Sequence, residues 1–255
     1  MDKHILTPYM LFFADETNNL YALLKDNRLR RVKTMDSFSG LSFDRKTATG
    51  ISFNGERTAL TQASLEFDEN PTRPFGQFFG YFYYPALNKN NKKLAVIQVD
   101  LLHPHHMGSL CLYRFFRNKW RLYDKREAWI APPFFAADND ALFFIDAQKH
   151  LVCLEEQTPQ ILLNDVRLFT VTPDGRHIAA VTDEKILIYE LETGKNIRSF
   201  TVSFVTALCF SEDKKTLFFS NQVDGKAHLY ALDIKEGKAS SLAHHPFEIT
   251  LIVSA

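Results

Sequence analysis

Short apolar runs separated by turn residues fill most of the chain, and residues 166–201 show this pattern most clearly. Three runs with apolar character are separated there by Pro173-Asp174-Gly175, Asp183-Glu184 and Thr193-Gly194, and a fourth, more polar run follows. Strands of about five to seven residues with turn residues at regular spacing are typical of an antiparallel meander. The segment therefore predicts one four-stranded sheet.

The same pattern recurs along the chain. Residues 206–242 repeat it, with Ser211 to Lys214 taking the place of Thr172 to Gly175, which lie about 39 residues earlier, and such a period is typical of propeller blades. The other predicted strands lie at 9–14, 20–24, 29–33, 41–43, 47–53, 58–61, 64–67, 77–84, 93–99, 109–116, 119–123, 134–137, 141–145, 151–154, 160–163 and 249–253.

The first three strands and the last one are left over when the other strands are grouped in fours, and together they make one more blade. We therefore predict an all-β fold: a six-bladed β-propeller of four-stranded antiparallel blades, closed by a blade shared between the N- and C-termini. Residues 1–255 would form a single propeller domain. A β-sandwich, two smaller β domains, or a ring of five or seven blades are the alternatives. The sandwich and the two-domain fold account less economically for the period and the leftover strand.

Two segments resemble known propeller repeats. TPDGRHIAAV, from Thr172, stands where the WD40 family has its SPDG turn and second strand, and IYELETGK, from Ile188, stands where the family has IWDLETGK. HLYALDIKEGK, from His228, is similar to the third strand of TolB-type repeats. The resemblance implies a platform for protein partners rather than an enzyme. Because no Gly-His pair opens the blades and Tyr189-Glu190 replaces Trp-Asp, it also implies that the family's His, Asp and Trp hydrogen-bond network is absent.

Composition and charge give no evidence for nucleic acid or membrane binding. The 30 basic and 30 acidic residues cancel, and no stretch approaches the roughly 20 apolar residues needed to span a bilayer. The first residues do not read as a signal peptide, so we expect a cytoplasmic protein. Cys111, Cys153 and Cys209 each fall in a predicted strand and are expected to be buried free thiols.

Two groups of residues could bind a metal ion. His103, His105 and His106 lie close together, as do His244 and His245, and imidazoles can bind zinc, nickel or copper. Their spacing matches no ordinary ligand pair, so we expect no metal and no cofactor. Carboxylates such as Asp138, Asp140 and Asp146 could bind calcium, but turn formation explains them more simply. The chain contains no G-x-S-x-G, Walker A or G-x-G-x-x-G sequence, so it predicts no catalytic residues.

Aromatic and basic clusters have structural explanations as well. The run 78–84 could stack on a base or a sugar, but an inner strand packed on both faces is also rich in aromatic residues, with Tyr83 and Tyr84 the best candidates for exposure. Basic clusters at 28–33 and 114–121 alternate with apolar residues and are expected on solvated outer strands, where charge discourages aggregation. Nucleic-acid binding by these stripes is the competing hypothesis.

The sequence thus favours a non-enzymatic protein-binding propeller, acting as a scaffold, an adaptor or an inhibitor such as an immunity protein. We expect a monomer whose partner is another protein. The alternative is a metal-dependent hydrolase or lactonase with a central-channel site. The long connections 68–76 and 100–108, together with residues 243–247, are predicted to form one binding rim. Its candidate partner-binding residues are Arg73, Phe75, His103, His105, His106, His244 and His245.

Overall fold

A computed structural model describes residues 9–17, 19–26, 28–34, 37–41, 47–64, 73–100, 107–136, 140–172 and 174–254. This part of the chain contains six antiparallel sheets of four strands each and no helix. The strands of the first three blades, apart from the last strand of the chain, are β1 (Tyr9–Asp15), β2 (Asn19–Leu24), β3 (Leu29–Thr34), β4 (Ser37–Leu41), β5 (Thr47–Asn54), β6 (Arg57–Ser64), β7 (Arg73–Phe79), β8 (Tyr81–Leu87), β9 (Lys93–Val99), β10 (Met107–Phe116) and β11 (Lys119–Trp129).

The strands of blades 4, 5 and 6 follow in chain order. They are β12 (Phe134–Phe135), β13 (Leu142–Ile145), β14 (Leu151–Glu155), β15 (Thr158–Leu163), β16 (Leu168–Val171), β17 (His177–Thr182), β18 (Lys185–Glu190), β19 (Lys195–Thr201), β20 (Val205–Phe210), β21 (Thr216–Val223), β22 (Lys226–Asp233) and β23 (Lys238–His245). The last strand, β24 (Ile249–Ser254), belongs to blade 1.

The sheets are arranged as the blades of a propeller, and this confirms the predicted fold class. In blades 2 to 6 the strands follow one another from the inner to the outer position, beginning with β4, β8, β12, β16 and β20. Blade 1 has the order β24-β1-β2-β3. Inner strands of successive blades contact each other from β16 through β20, β24 and β4 to β8 and β12. Shared apolar clusters join blades 4 and 5 as well.

Blade 1 combines strands from the two ends of the chain. Strand β24 pairs antiparallel with β1, so that Phe13 lies opposite Ile252 and Ala14 lies opposite Leu251. Phe13 and Ile252 are buried in the cluster that blade 1 forms with Cys209 and Leu229 of blade 6. The inner position of blade 1 is therefore filled by the last strand.

The boundary between blades 2 and 3 differs from the sequence-based prediction. We expected an outer strand at 64–67 and one inner strand at 77–84, but residues up to Phe79 belong to the outer strand β7 and Tyr81 begins β8. Gly80 separates the two strands with a φ of +103°, which favours glycine, and its N–H donates to the Glu56 carbonyl at 2.8 Å. The sequence does not predict this break, because aromatic residues lie on both sides of Gly80 and a single glycine is a weak turn signal.

The core lies between the blades. Alternating residues of each sheet face the two neighbouring blades, so each interface has its own apolar cluster. Cys111, Cys153 and Cys209 are buried thiols that form no disulfide, as the sequence predicts, and burial raises the pKa of the Cys153 thiol to about 11. No helix in the described residues has the length and apolarity needed to cross a membrane.

Candidate protein-interaction surface

The propeller has two faces, which we define by their turns. The upper face holds the turns between second and third strands and the connections between blades, and the lower face holds the other two turns of each blade. Because β6 ends at Ser64 and β7 begins at Arg73 in one sheet, the connection before Arg73 joins third and fourth strands and opens on the lower face. The predicted blade-to-blade connection at 68–76 is therefore wrong, because residue order alone did not fix where the outer strand of blade 2 lies.

The predicted rim residues consequently do not share one face. Arg73 begins β7 at the lower face, whereas His244 and His245 end β23 at the upper face. Phe75 packs beside the buried Ile51 and Leu94 of blades 2 and 3. His103, His105 and His106 lie outside the described residues. A partner-binding role for these seven residues stays a prediction.

His245 has a structural role in the interface between blades 6 and 1. Its side chain is buried, and its Nε2 lies 2.9 Å from Oδ2 of the fully buried Asp15 carboxylate. The imidazole also makes edge contacts with the rings of Phe13 and Tyr21. Blades 6 and 1 thus share a buried His and Asp pair, with Tyr21 packed against it.

The Asp15 carboxylate is held by three more hydrogen bonds. Its Oδ1 accepts from the Thr17 N–H at 3.0 Å, the Thr17 hydroxyl at 2.7 Å and the Asn19 N–H at 3.0 Å. Burial raises the pKa of this carboxyl, but the hydrogen bonds from Thr17, His245 and Asn19 outweigh burial, so the pKa lies below its usual value. Asp15 is therefore ionised at neutral pH.

The strongest candidate for a binding surface lies on the outer strands of blade 3. At the β10–β11 hairpin Phe116 is 48% exposed and Tyr123 is 37% exposed. Register pairs Arg114 with Arg121 and places Phe116 two residues further along β10, so these side chains share one side of the sheet. Three arginines and two aromatic rings thus meet on a solvent-facing surface.

Cation–π contacts hold this group together. The Arg114 guanidinium lies 5.2 Å from the centre of the Tyr123 ring, and the guanidinium groups of Arg117 and Arg121 lie 5.1 and 5.3 Å from the Phe116 ring. A ring between two guanidinium groups loses conformational freedom before any partner arrives, so less entropy is lost on binding. We call Arg114, Phe116, Arg117, Arg121 and Tyr123 the blade-3 edge.

A further exposed apolar side chain lies on the neighbouring blade. Ile161 of β15 is 58% exposed and lies opposite Val152, which packs into the interface between blades 3 and 4, so Ile161 lies on the side of blade 4 that faces blade 3. Arg126 of β11 donates to the Gln157 carbonyl at 3.5 Å and so links the two blades.

The blade-3 edge is locally basic although the chain has no net charge. Arg114, Arg117, Lys119 and Arg121 lie within eight residues of sequence around a single turn. The nearby carboxylates of Asp124 and Asp140 pair with Arg126 and Lys93 respectively. The sequence shows the basic residues, but the exposure of the rings between them follows only from the fold.

Asp146 serves in a turn as the sequence predicts, whereas Asp140 contacts side chains of blade 3. Asp146 Oδ1 accepts from the backbone N–H groups of Gln148 and His150 at 2.9 and 2.8 Å. Asp140 contacts the Asn88 amide and Lys93, and Asp138 lies outside the described residues. Among the described residues no group of three or more His, Cys, Asp or Glu side chains is arranged to hold a metal ion.

Comparison with solved structures shows the fold alone. TolB from Acinetobacter baumannii matches with a TM-score of 0.72 and 12% identity, over 95% of this chain and 66% of TolB. A propeller in a nidogen/laminin complex matches with a TM-score of 0.70 and 13% identity, over 96% and 98% of the two chains. Oligogalacturonate lyase in complex with manganese matches with a TM-score of 0.59 and 16% identity, over 89% and 71%.

No protein-family description and no curated sequence matches this chain. The structural matches show that, by its fold, the protein is a TolB-like and WD40-like six-bladed propeller. Its structural neighbours include both a propeller from a protein complex and an enzyme, so the fold is compatible with a binding role and does not decide between the two classes.

Proposed function

We propose that this chain is a non-enzymatic protein-binding propeller that uses the blade-3 edge to hold an acidic surface of its partner. The observation that supports this proposal is the exposure of Phe116 and Tyr123 between Arg114, Arg117 and Arg121. Aromatic residues and arginine are the side chains most enriched in interface anchors. The occurrence of a related propeller in the nidogen/laminin complex is in keeping with this role.

The chemistry of the edge suits an acidic partner. The guanidinium groups are planar donors suited to carboxylates, while the rings offer apolar area. An acidic protein segment with at least one apolar side chain would satisfy both requirements. Electrostatic attraction would act mainly on the association rate, which should fall as salt rises.

Affinity capture with the wild-type protein would supply the partner, and quantitative binding to that purified partner tests the proposal. Phe116→Ser combined with Arg121→Glu should weaken binding at least about 30-fold, as expected for two anchors. Phe204→Ser is the matched control, because Phe204 is 71% exposed on the upper face, and it should leave affinity unchanged. Wild-type affinity in the edge variant would overturn the proposal.

Two further experiments test other modes of binding. Loss of binding on replacing His103, His105 and His106 would move the interface to the predicted rim. Binding of the wild-type protein to single-stranded DNA with the same dependence on Arg114 and Arg121 would assign the edge to nucleic acid. Each of these outcomes contradicts the proposed use of the edge.

The proposal includes the location and state expected from the sequence. We propose that the protein works as a monomer in the cytoplasm. Light scattering of the purified protein checks the first point, and fractionation of the native host checks the second. A stable dimer that covers the blade-3 edge would contradict the proposed binding mode.

A further inference from the structure

Two histidines from different parts of the sequence meet on the side of blade 6 that faces blade 5. His228 of β22 lies opposite His244 of β23, and their Nδ1 atoms are 3.0 Å apart. The ring centres are 4.7 Å apart and the rings are inclined at 71°, so the two imidazoles meet edge to face with their Nδ1 atoms adjacent. His244 is exposed and His228 is half-buried, so the pair is open to solvent on one side.

A third polar group lies in the same row. Asn221 of β21 is the partner of His228 on its other side, so the three side chains project from the same face of the sheet. Its Oδ1 atom is buried and has no hydrogen-bond partner among the described residues. A buried carbonyl oxygen without a partner is costly, and a bound cation would satisfy it.

The distance between the two imidazoles suits a metal ion. Zinc binds imidazole nitrogen at about 2.0–2.1 Å, and tetrahedral geometry places two such nitrogens about 3.3 Å apart, so a small movement of the exposed His244 side chain would let both nitrogens bind one ion. We propose that His228 and His244 form a binding site for a divalent transition metal such as Zn²⁺ or Cu²⁺, with the Asn221 carbonyl oxygen as an additional donor in the same row. Water completes the coordination on the exposed side.

The adjacent histidine does not belong to this site. His245 follows His244 on β23 and therefore points to the opposite side of the sheet, where its Nε2 contacts Asp15. In the metal-free protein a hydrogen bond between the two Nδ1 atoms uses the same nitrogens, so metal binding replaces that bond. The two histidines are 16 residues apart in the chain, so no ordinary ligand spacing is visible in the sequence.

The test is Zn²⁺ titration of protein purified without an affinity tag and stripped with a chelator, followed by calorimetry. The reference protein carries His103→Gln, His105→Gln and His106→Gln, which removes the other histidine cluster. One equivalent of Zn²⁺ should bind to the reference. Adding either His228→Gln or His244→Gln should weaken binding on the order of 100-fold, since each removes one of two imidazole ligands.

His150→Gln is the matched control, because this half-buried imidazole contacts the single carboxylate of Asp146. It should bind Zn²⁺ as tightly as the reference, and Asn221→Leu should bind more weakly than the reference. His244 is exposed, so its replacement should preserve the fold, which circular dichroism can verify. Unchanged Zn²⁺ affinity in folded His244→Gln protein, or a reference protein that binds no Zn²⁺, overturns the proposal.

Discussion

Replacing Asp15 by alanine should destabilise the protein more than any other change to a turn carboxylate. The Asp15 side chain is fully buried and accepts hydrogen bonds from Thr17, Asn19 and His245. Alanine would leave the buried His245 imidazole without its partner between blades 6 and 1. The turn between β1 and β2 would lose its organising acceptor at the same time.

The magnitude follows from the kinds of bond that are lost. Removing the carboxylate leaves the buried His245 imidazole without its hydrogen-bond partner, which costs about 1–3 kcal/mol and more where the lost partner is charged. Hydrogen bonds to a charged group contribute about 1.5–3 kcal/mol each, but Thr17 and Asn19 can turn to water and recover most of theirs. We expect a loss of about 4 kcal/mol, which for a domain of this size lowers Tm by about 8–16 °C.

Blade 4 supplies a matched control. Asp146 occupies the equivalent turn and also contacts a histidine, with Oδ2 at 3.0 Å from His150 Nδ1. Its side chain is 19% exposed and that of His150 is 28% exposed, so water can replace the lost contacts. Asp146→Ala should therefore cost only about 1 kcal/mol.

Urea unfolding followed by circular dichroism and tryptophan fluorescence would measure both variants. A double-mutant cycle with His245→Ala should give a coupling energy of about 2 kcal/mol between Asp15 and His245. Equal destabilisation by Asp15→Ala and Asp146→Ala would refute the reasoning, since burial would then have no effect on the cost. A coupling energy near zero would show that the turn, and not the pair, accounts for the loss.

Two further predictions concern pH and the chain end. Burial raises the pKa of Asp174, but hydrogen bonds from Lys214, Thr172 and the Arg176 N–H outweigh it and lower the pKa to about 2, below the unfolded value of about 3.9. The pKa of Asp15 is shifted in the same direction. The stabilisation from the two carboxylates is therefore complete above about pH 5 and is lost as pH falls toward 2. Tm should drop steeply over this pH range, and Asp174→Asn should make the drop shallower. Deleting residues 251–255 removes most of β24, including the buried Ile252, and should expose apolar surface; an unchanged melting curve would contradict a structural role for the pairing of β24 with β1.

The sequence predicts the later blades better than the earlier ones, and the reason is turn chemistry. Blades 5 and 6 have Thr172-Pro173-Asp174-Gly175 and Ser211 to Lys214 at equivalent places, so the strand limits follow from the turn residues. Between blades 2 and 3 the change of strand occurs at Gly80 inside an aromatic run. There the apolar pattern is continuous, and only the backbone conformation separates the two strands.

The candidate surface could be predicted only in part. The basic residues from Arg114 to Arg121 are visible in the sequence, as is their alternation with apolar residues. Tyr123 lies two residues after Arg121, so strand alternation alone puts it on the same side as Arg114, but the exposure of its ring depends on how blade 3 packs beside its neighbours. From the sequence alone, a solvated outer strand is therefore the simpler interpretation of these basic residues.

The two neighbouring histidines of β23 show how strand geometry separates functions that a sequence motif appears to combine. Successive side chains of a strand point to opposite faces, so His244 meets His228 on the side of blade 5 while His245 meets Asp15 on the side of blade 1. A change at His245 should therefore act on the stability of the blade 1 interface, and a change at His244 should act on metal binding. Backbone pairing of β23 with β22 sets the direction of His244 and does not involve Asp15, so calorimetry should find unchanged Zn²⁺ affinity in folded Asp15→Ala protein. A lower affinity in that variant would show that the two sides of the strand are coupled.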